Sequence, residues 1–191
     1  MGTSPSQLGL ERFKKIVDAA EKNDLIIAFE NSVYPEHLRY VLDNINSPSA
    51  MFCFDSGHRN AFCPDEKFFP DYSDRLVTMH LQYNDGKRDL HVCPFDGCID
   101  WETLIDEIKD TEAFRRCLTF EVGGGKPIKL PGESADDLFD SVSHIPIAKD
   151  KKLIEIRDGI IDFYSKLSYE EYLARQINAA KRLAEMALKQ S

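Results

Sequence analysis

The chain has 191 residues, with 33 acidic against 24 basic side chains, a formal net charge of −9 and a pI near 5.1. That balance argues against a general nucleic-acid surface or an anionic membrane as partner, since both select basic patches. A phosphorylated ligand stays open, because bound divalent cations reverse the sign locally.

The length suffices for one domain with a real core over residues 1–191. No run approaches membrane-spanning length. Five cysteines without a CxxC pair predict free thiols, with Cys53 and Cys117 packed inside strands. That usage fits a reducing cytosol and a cytoplasmic protein.

Residues 10–22 place Leu10, Phe13, Ile16, Val17 and Ala20 at helical spacing. An apolar run at 25–30 follows, then a helix over 34–44 with Leu38, Val41 and Leu42 on one side and Pro35 in its first turn. A second apolar run covers 51–55. Residues 59–72, with Pro64, Pro70 and several aromatics, read as a loop. A third run covers 75–81, and a polar loop extends to Asp100, a fitting N-cap for a helix reaching about Asp110. A fourth run covers 117–122. Gly123-Gly124-Gly125 reads as a turn, and helices are expected at 134–142, 152–165 and 168–189. The last has Ser168 before Glu170 and Glu171, and Leu173, Ile177, Ala180, Leu183, Ala184 and Leu188 along it.

Each of the four runs ends on a residue that binds metals: Glu30, Asp55, His80 and Glu121. Continuous apolar runs suit strands buried on both faces, as in a parallel sheet. Ligand-type residues at the carboxyl ends of successive strands mark the place where α/β barrels keep their chemistry. Two residues before each lies a small side chain, namely Ala28, Cys53, Thr78 and Thr119. Residues two apart share a face, so small residues and ligands are expected to face a barrel axis, and large alternates such as Phe52, Phe54 and Met79 a helical layer. A second cluster suggests itself in His58, three residues past Asp55, with Asp89 and His91, which point the same way if the backbone between them is extended. Imidazole with carboxylate suits Zn²⁺ or Mn²⁺. His37 and His144 are expected on the surface.

These residues resemble the xylose-isomerase-like TIM-barrel superfamily, which includes sugar-phosphate isomerases/epimerases and endonuclease-IV-type AP endonucleases. The matching stretches are Ala28-Phe29-Glu30-Asn31, Phe54-Asp55-Ser56-Gly57-His58, Met79-His80-Leu81 with Asn84-Asp85, Asp89-Leu90-His91 through Gly97-Cys98-Ile99-Asp100-Trp101, and Thr119-Phe120-Glu121-Val122. The resemblance covers residues 8–122 and, more weakly, the final helix, and it corresponds to the last four of the barrel's eight strands. The chain is therefore expected to be α/β, a partial (half) TIM barrel of about four parallel strands. Residues 8–122 would be its β/α units, 123–167 a connection and 168–190 a C-terminal helix.

The resemblance implies that Glu30, Asp55, His80 and Glu121 hold a divalent metal (Mn, Zn, Mg or Co), and that His58, Asp89 and His91 hold a second. It further implies that Glu30 and Glu121 are the catalytic carboxylates and that His58 binds substrate. The implied activity is isomerisation or epimerisation of a sugar or sugar phosphate through an enediolate. The alternatives are an AP-endonuclease-type phosphodiester hydrolase and a non-catalytic half-barrel. A homodimer or a separate N-terminal half-barrel would supply the missing strands.

Overall fold

The computed structural model describes residues 4–122, 163–164 and 166–189. Helix α1 (Gln7–Glu21) begins where the Ser6 hydroxyl accepts from the Gly9 N–H at 3.1 Å. It leads to β1 (Ile27–Glu30), α2 (Pro35–Asn44) and β2 (Ala50–Asp55), then to a short helix α3 (Ser56–Phe62) and β3 (Leu76–His80). Helices α4 (Trp101–Ile108), α5 (Glu112–Arg116) and α6 (Tyr169–Lys189) complete the described elements.

The three strands form a parallel sheet in the order β1-β2-β3. The fourth apolar run is not a full strand. It reaches the sheet only at its end, where Phe120 bridges Leu81, Leu81 N–H donates to Thr119 O at 2.8 Å and Glu121 N–H donates to Leu81 O at 3.3 Å. Residues 119–121 thus take the place of a fourth parallel strand beside the end of β3. The spatial order follows the chain order, as successive β/α units require.

The outward alternates of the strands form the core. Phe52, Phe54 and Met79 are fully enclosed against Phe68, Tyr72, Leu104, Ile105, Ile108 and Leu183. A smaller cluster of Leu10, Val17, Val41, Ile45 and Ala50 joins α1 and α2 to the sheet. Arg75, just before β3, closes the base: its guanidinium donates to the carbonyls of Leu42, Ile45 (3.0 Å) and Ala50 (Nε, 3.1 Å), groups that the end of α2 and the start of β2 leave free. The inner face is less covered. Ala28 is exposed, Thr78 and Thr119 are half-buried, and only Cys53 is enclosed. Among the described residues no strand pairs with the outer edge of β1, where Leu25 and Ile26 are more than half exposed.

Several expectations are corrected. The segment expected as a loop opens on helix α3, because the Asp55 carboxylate accepts from His58 N–H at 2.5 Å and caps it. The helix after Asp100 stops at Ile108, and α5 starts anew on Thr111, whose hydroxyl accepts from Phe114 N–H. Cys117 is exposed, not packed; all five cysteines are free thiols. Phe13 and Ile16 of α1 remain partly exposed, at 38% and 48%.

On α6 the buried face carries Ala179 and Leu183, flanked by the half-buried Tyr172, Met186 and Ala187, while Leu173, Ile177 and Leu188 point outward. Polar anchors choose that face. Arg175 grips the Asp96 carboxylate with two bonds of 2.5 and 2.7 Å, and the Arg182 guanidinium lies 3.9 Å over the Phe95 ring. The turn at 123–125, the helix at 134–142, His144 and most of the helix at 152–165 lie outside the described residues. No helix among the described residues is long and apolar enough to cross a membrane.

Candidate metal centre

The parallel register delivers the strand-end residues to one rim. Asp55 and His80 are direct partners across β2 and β3. Glu30 ends β1 opposite Cys53, two residues short of Asp55, and Asn31 fills the step. Its fully buried side chain donates to Asp55 O at 2.9 Å and accepts from Asp55 N–H at 2.8 Å, continuing the ladder by one side-chain rung. The Phe120 bridge places Glu121 on the other side of His80.

Glu30, Asp55, His80 and Glu121 each offer a ligand atom within 4.8 Å of all the others. His80 Nδ1 sits between the two outer carboxylates, 2.9 Å from Glu30 Oε1 and 3.2 Å from Glu121 Oε2. The small alternates lie below the ligands, and Cys53 joins Glu30 and His80 as a third possible ligand triplet within the same 4.8 Å. Burial and the surrounding carboxylates push the Cys53 thiol far up, so it stays protonated there.

The second cluster is also present. His58, Asp89 and His91 converge within 4.8 Å. The route differs from the expected extended backbone: His91 has φ 49°, in the left-handed region, and the antiparallel bridge between Tyr83 and Val92 turns the loop back over the sheet ends. Asp89 Oδ2 then lies 3.1 Å from His58 Nε2 and 2.9 Å from His91 Nε2. His58 Nδ1 faces the Asn31 carbonyl at 2.9 Å. A carbonyl only accepts, so Nδ1 carries the proton and Nε2 is left as the ligating atom. His58 thus belongs to this cluster, with both ring nitrogens engaged. Its Nδ1 also lies 3.5 Å from Glu30 Oε1, so the two clusters adjoin.

The charge balance asks for cations. Burial raises Asp55 to about 7, against the opposing pull of His58. Burial works against a charge on His58, but the Asp89 hydrogen bond and the nearby Asp55, Asp89 and Glu30 carboxylates outweigh it and raise the imidazole to about 9. His91 is raised for the same reason. Burial would raise Asp89, yet its bonds to His58 and His91 bring it well below the usual carboxylate range. Protons therefore bridge imidazole and carboxylate where a metal ion would replace them.

One atom fits a metal better than a proton. Glu121 Oε2 is enclosed, faces His80 Nδ1 at 3.2 Å and, among the described residues, accepts no hydrogen bond. A buried lone pair without a donor, beside one imidazole and two other carboxylates, is the donor set of an oxygen-rich divalent site. The residues present fit such an ion.

Four residues to which the sequence reading gave no supporting role are essentially fully buried: Asn31, Ser56 and Asn84, which lie in the matching stretches, and Gln82, which does not. Ser56 Oγ donates to Gln82 O (2.8 Å) and accepts from Gln82 N–H (3.1 Å), while Asn84 Nδ2 donates to Gly57 O at 2.8 Å. For Asn31 and Ser56 the signal was their place directly after a ligand, and for Gln82 and Asn84 their alternation two and four residues past His80, where polar side chains can be buried to hold ligands.

Comparison with known proteins bears on the fold. Over 70 residues, 36% of this chain and 22% of the relative, the sequence is 37% identical to the uncharacterized protein y4fM of Sinorhizobium fredii. A solved structure described as a D-tagatose 3-epimerase-like protein superposes with a TM-score of 0.52 at 18% identity, over 81% of this chain and 55% of that one. The chain thus spans about half the length of that structure and less of the curated relative. A family model described as xylose isomerase-like TIM barrel matches residues 7–143, and the chain belongs to that family.

Proposed function

We propose that this chain is all or part of a metal-dependent isomerase or epimerase acting on a sugar or sugar phosphate. The observation that carries this reading is the placement of Glu30 and Glu121. They come from the first and last strand positions, and one oxygen of each lies within 3.2 Å of the same imidazole nitrogen. Two carboxylates flanking one ligand position suit this chemistry: either can carry a proton between adjacent carbons, and the pair acting from opposite faces would invert one carbon, one removing the proton and the other supplying it. A divalent ion held by Glu30, Asp55, His80 and Glu121 would supply positive charge against the oxygens of a developing enediolate. The chain's own part is to aim the carboxylates. Asp55 is fixed by Asn31 and by the N-terminus of α3, and His80 is fixed between the two glutamates.

The sheet occupies four of the eight strand positions of a closed barrel. A second copy of this chain, set parallel about the barrel axis, is the partner that completes the ring with the same edges used twice. Sedimentation of the purified chain should give a dimer; a monomer at high concentration removes that partner.

The catalytic test incubates the protein with aldoses, ketoses and their phosphates in D₂O with Mn²⁺, Mg²⁺, Co²⁺ or Zn²⁺. Deuterium should enter the carbon next to the carbonyl, and Glu30→Gln and Glu121→Gln should each abolish it. Cleavage of an abasic-site duplex without any exchange would favour the hydrolase alternative. Metal binding without either activity would favour the non-catalytic one.

A further inference from the structure

Gln82 is 0% exposed and sits between the two ligand clusters. Its amide nitrogen donates to Asp89 Oδ1 at 2.6 Å and to Asp55 Oδ2 at 3.3 Å. Its amide oxygen accepts from His91 N–H at 3.1 Å. Carboxylate oxygens only accept and the backbone N–H only donates, so this orientation of the amide satisfies all three partners and the flipped one satisfies none. The main chain of Gln82 is pinned as well, through its paired bonds to Ser56 Oγ.

The geometry assigns Gln82 as the positioning residue that aims Asp89 at the two imidazoles and ties the His58–Asp89–His91 cluster to Asp55. Asp89 has two oxygens. Gln82 occupies Oδ1, which leaves Oδ2 for His58 and His91. The bond to His91 N–H holds the left-handed turn that brings the second imidazole back. Asp55 and Asp89 are like charges in a water-poor setting, and the shared amide gives each of them a donor.

Gly57 completes the device. A Cβ at that position would come closer than 3.0 Å to Gln82 Cδ, Oε1 and Cγ. The glycine is the room that the amide needs, at the second position of α3, where alanine would otherwise be the better helix former.

This assignment rests on the reading that both clusters bind ions, and the test separates the two. Co²⁺ alone is titrated into the full chain, followed by calorimetry and by its visible absorption. The wild type should show two classes of site, with His91→Ala identifying the His58–Asp89–His91 class. Gln82→Met keeps the length and loses the amide. It should weaken that class by roughly 10- to 100-fold, the effect typical of a supporting partner, and change the strand-end class by less. Gly57→Ala alters neither a ligand nor Gln82 and should reproduce the split, which keeps the test sound if Gln82→Met does not fold. Wild-type affinity at both classes in these variants overturns the positioning role while leaving the metal reading standing. An equal loss at both classes, as general loosening gives, overturns it too. A wild type with a single class overturns the two-ion reading and the positioning role together.

Discussion

The two clusters are neighbours built in opposite ways. Glu30, Asp55, His80 and Glu121 are carried to one rim by the register of a parallel sheet, each from a different strand position, and Glu121 Oε2 has no hydrogen bond at all. His58, Asp89 and His91 come from a short helix and a folded loop, and all three are held by hydrogen bonds from other side chains or the main chain. The first is rigid through its scaffold, and the second through its bonds. Both sets contain hydrogen bonds, His80 to Glu30 among them, but only the first holds a buried oxygen that accepts none, so Glu121 and Asp89 should respond differently to the same kind of change.

The largest effect should come from His80→Ala, which removes the centre of the strand-end set. Metal affinity there should fall by more than the roughly 10- to 100-fold typical of a supporting partner, as read by calorimetry. Retention of the ion at wild-type affinity would show that the four residues do not act as one site.

Next is the metal-free stability of Asp89→Ala. Here the comparison is sharpest. Loss of Asp89 strips His58, His91 and the Gln82 amide of a shared acceptor and should cost about 1–3 kcal/mol in denaturant unfolding, along with one bound ion. Glu121→Ala should also cost an ion. Its Oε2 faces His80 Nδ1 at 3.2 Å without a hydrogen bond, on a side chain 38% exposed, so stability should change by less than about 1 kcal/mol. Equal destabilisation by both changes would erase the distinction drawn above.

A smaller effect is expected from pH. In the metal-free protein His58 is raised from its ordinary 6.5 to about 9 and Asp55 from 3.8 to about 7. Asp55 binds extra protons in the folded state between about pH 4 and 7 and His58 between about 6.5 and 9, so stability should decline as pH rises from about 4 to about 9. Asp89, lowered, acts in the other sense: its contribution is present above its ordinary value and is lost as acid protonates it. Saturating metal should flatten the alkaline decline, because the ion takes the place of the protons. A thermal midpoint that climbs steadily across this alkaline range without metal would contradict the proton-bridged arrangement.

The smallest effect concerns Arg175→Ala on α6. Its ion pair with Asp96 is part-exposed, with Arg175 at 39%, so the loss should be within about 1 kcal/mol and metal affinity should be unchanged.

This contrast also explains what could be read before any coordinates. The strand-end ligands were legible because an apolar run stopped by a single ligand type is a pattern along the chain. The second trio was legible only as residue types. Its geometry depends on the left-handed backbone at His91 and on Gln82, and neither leaves a periodic trace. Asn31 and Ser56 were legible as members of matching stretches but not as supports for ligands, and Gln82 was not singled out, because a buried polar side chain looks like a surface one until its partners are known. Helix α3 was missed because a ligand, Asp55, doubles as its cap. The buried face of α6 was not legible because the helix has apolar residues on two sides, and the distant Asp96 and Phe95 help decide which one turns inward.

The bare edge of β1 has a consequence for the chemistry as well as for solubility. A strand added at that edge in the parallel sense would have its carboxyl end at the same rim. A parallel strand covering Leu25 and Ile26 would therefore also bring its own terminal side chain up beside Glu30. Covering the edge in that way and walling the rim would be one event, and the neighbouring side chain would join Glu30 in lining the strand-end site.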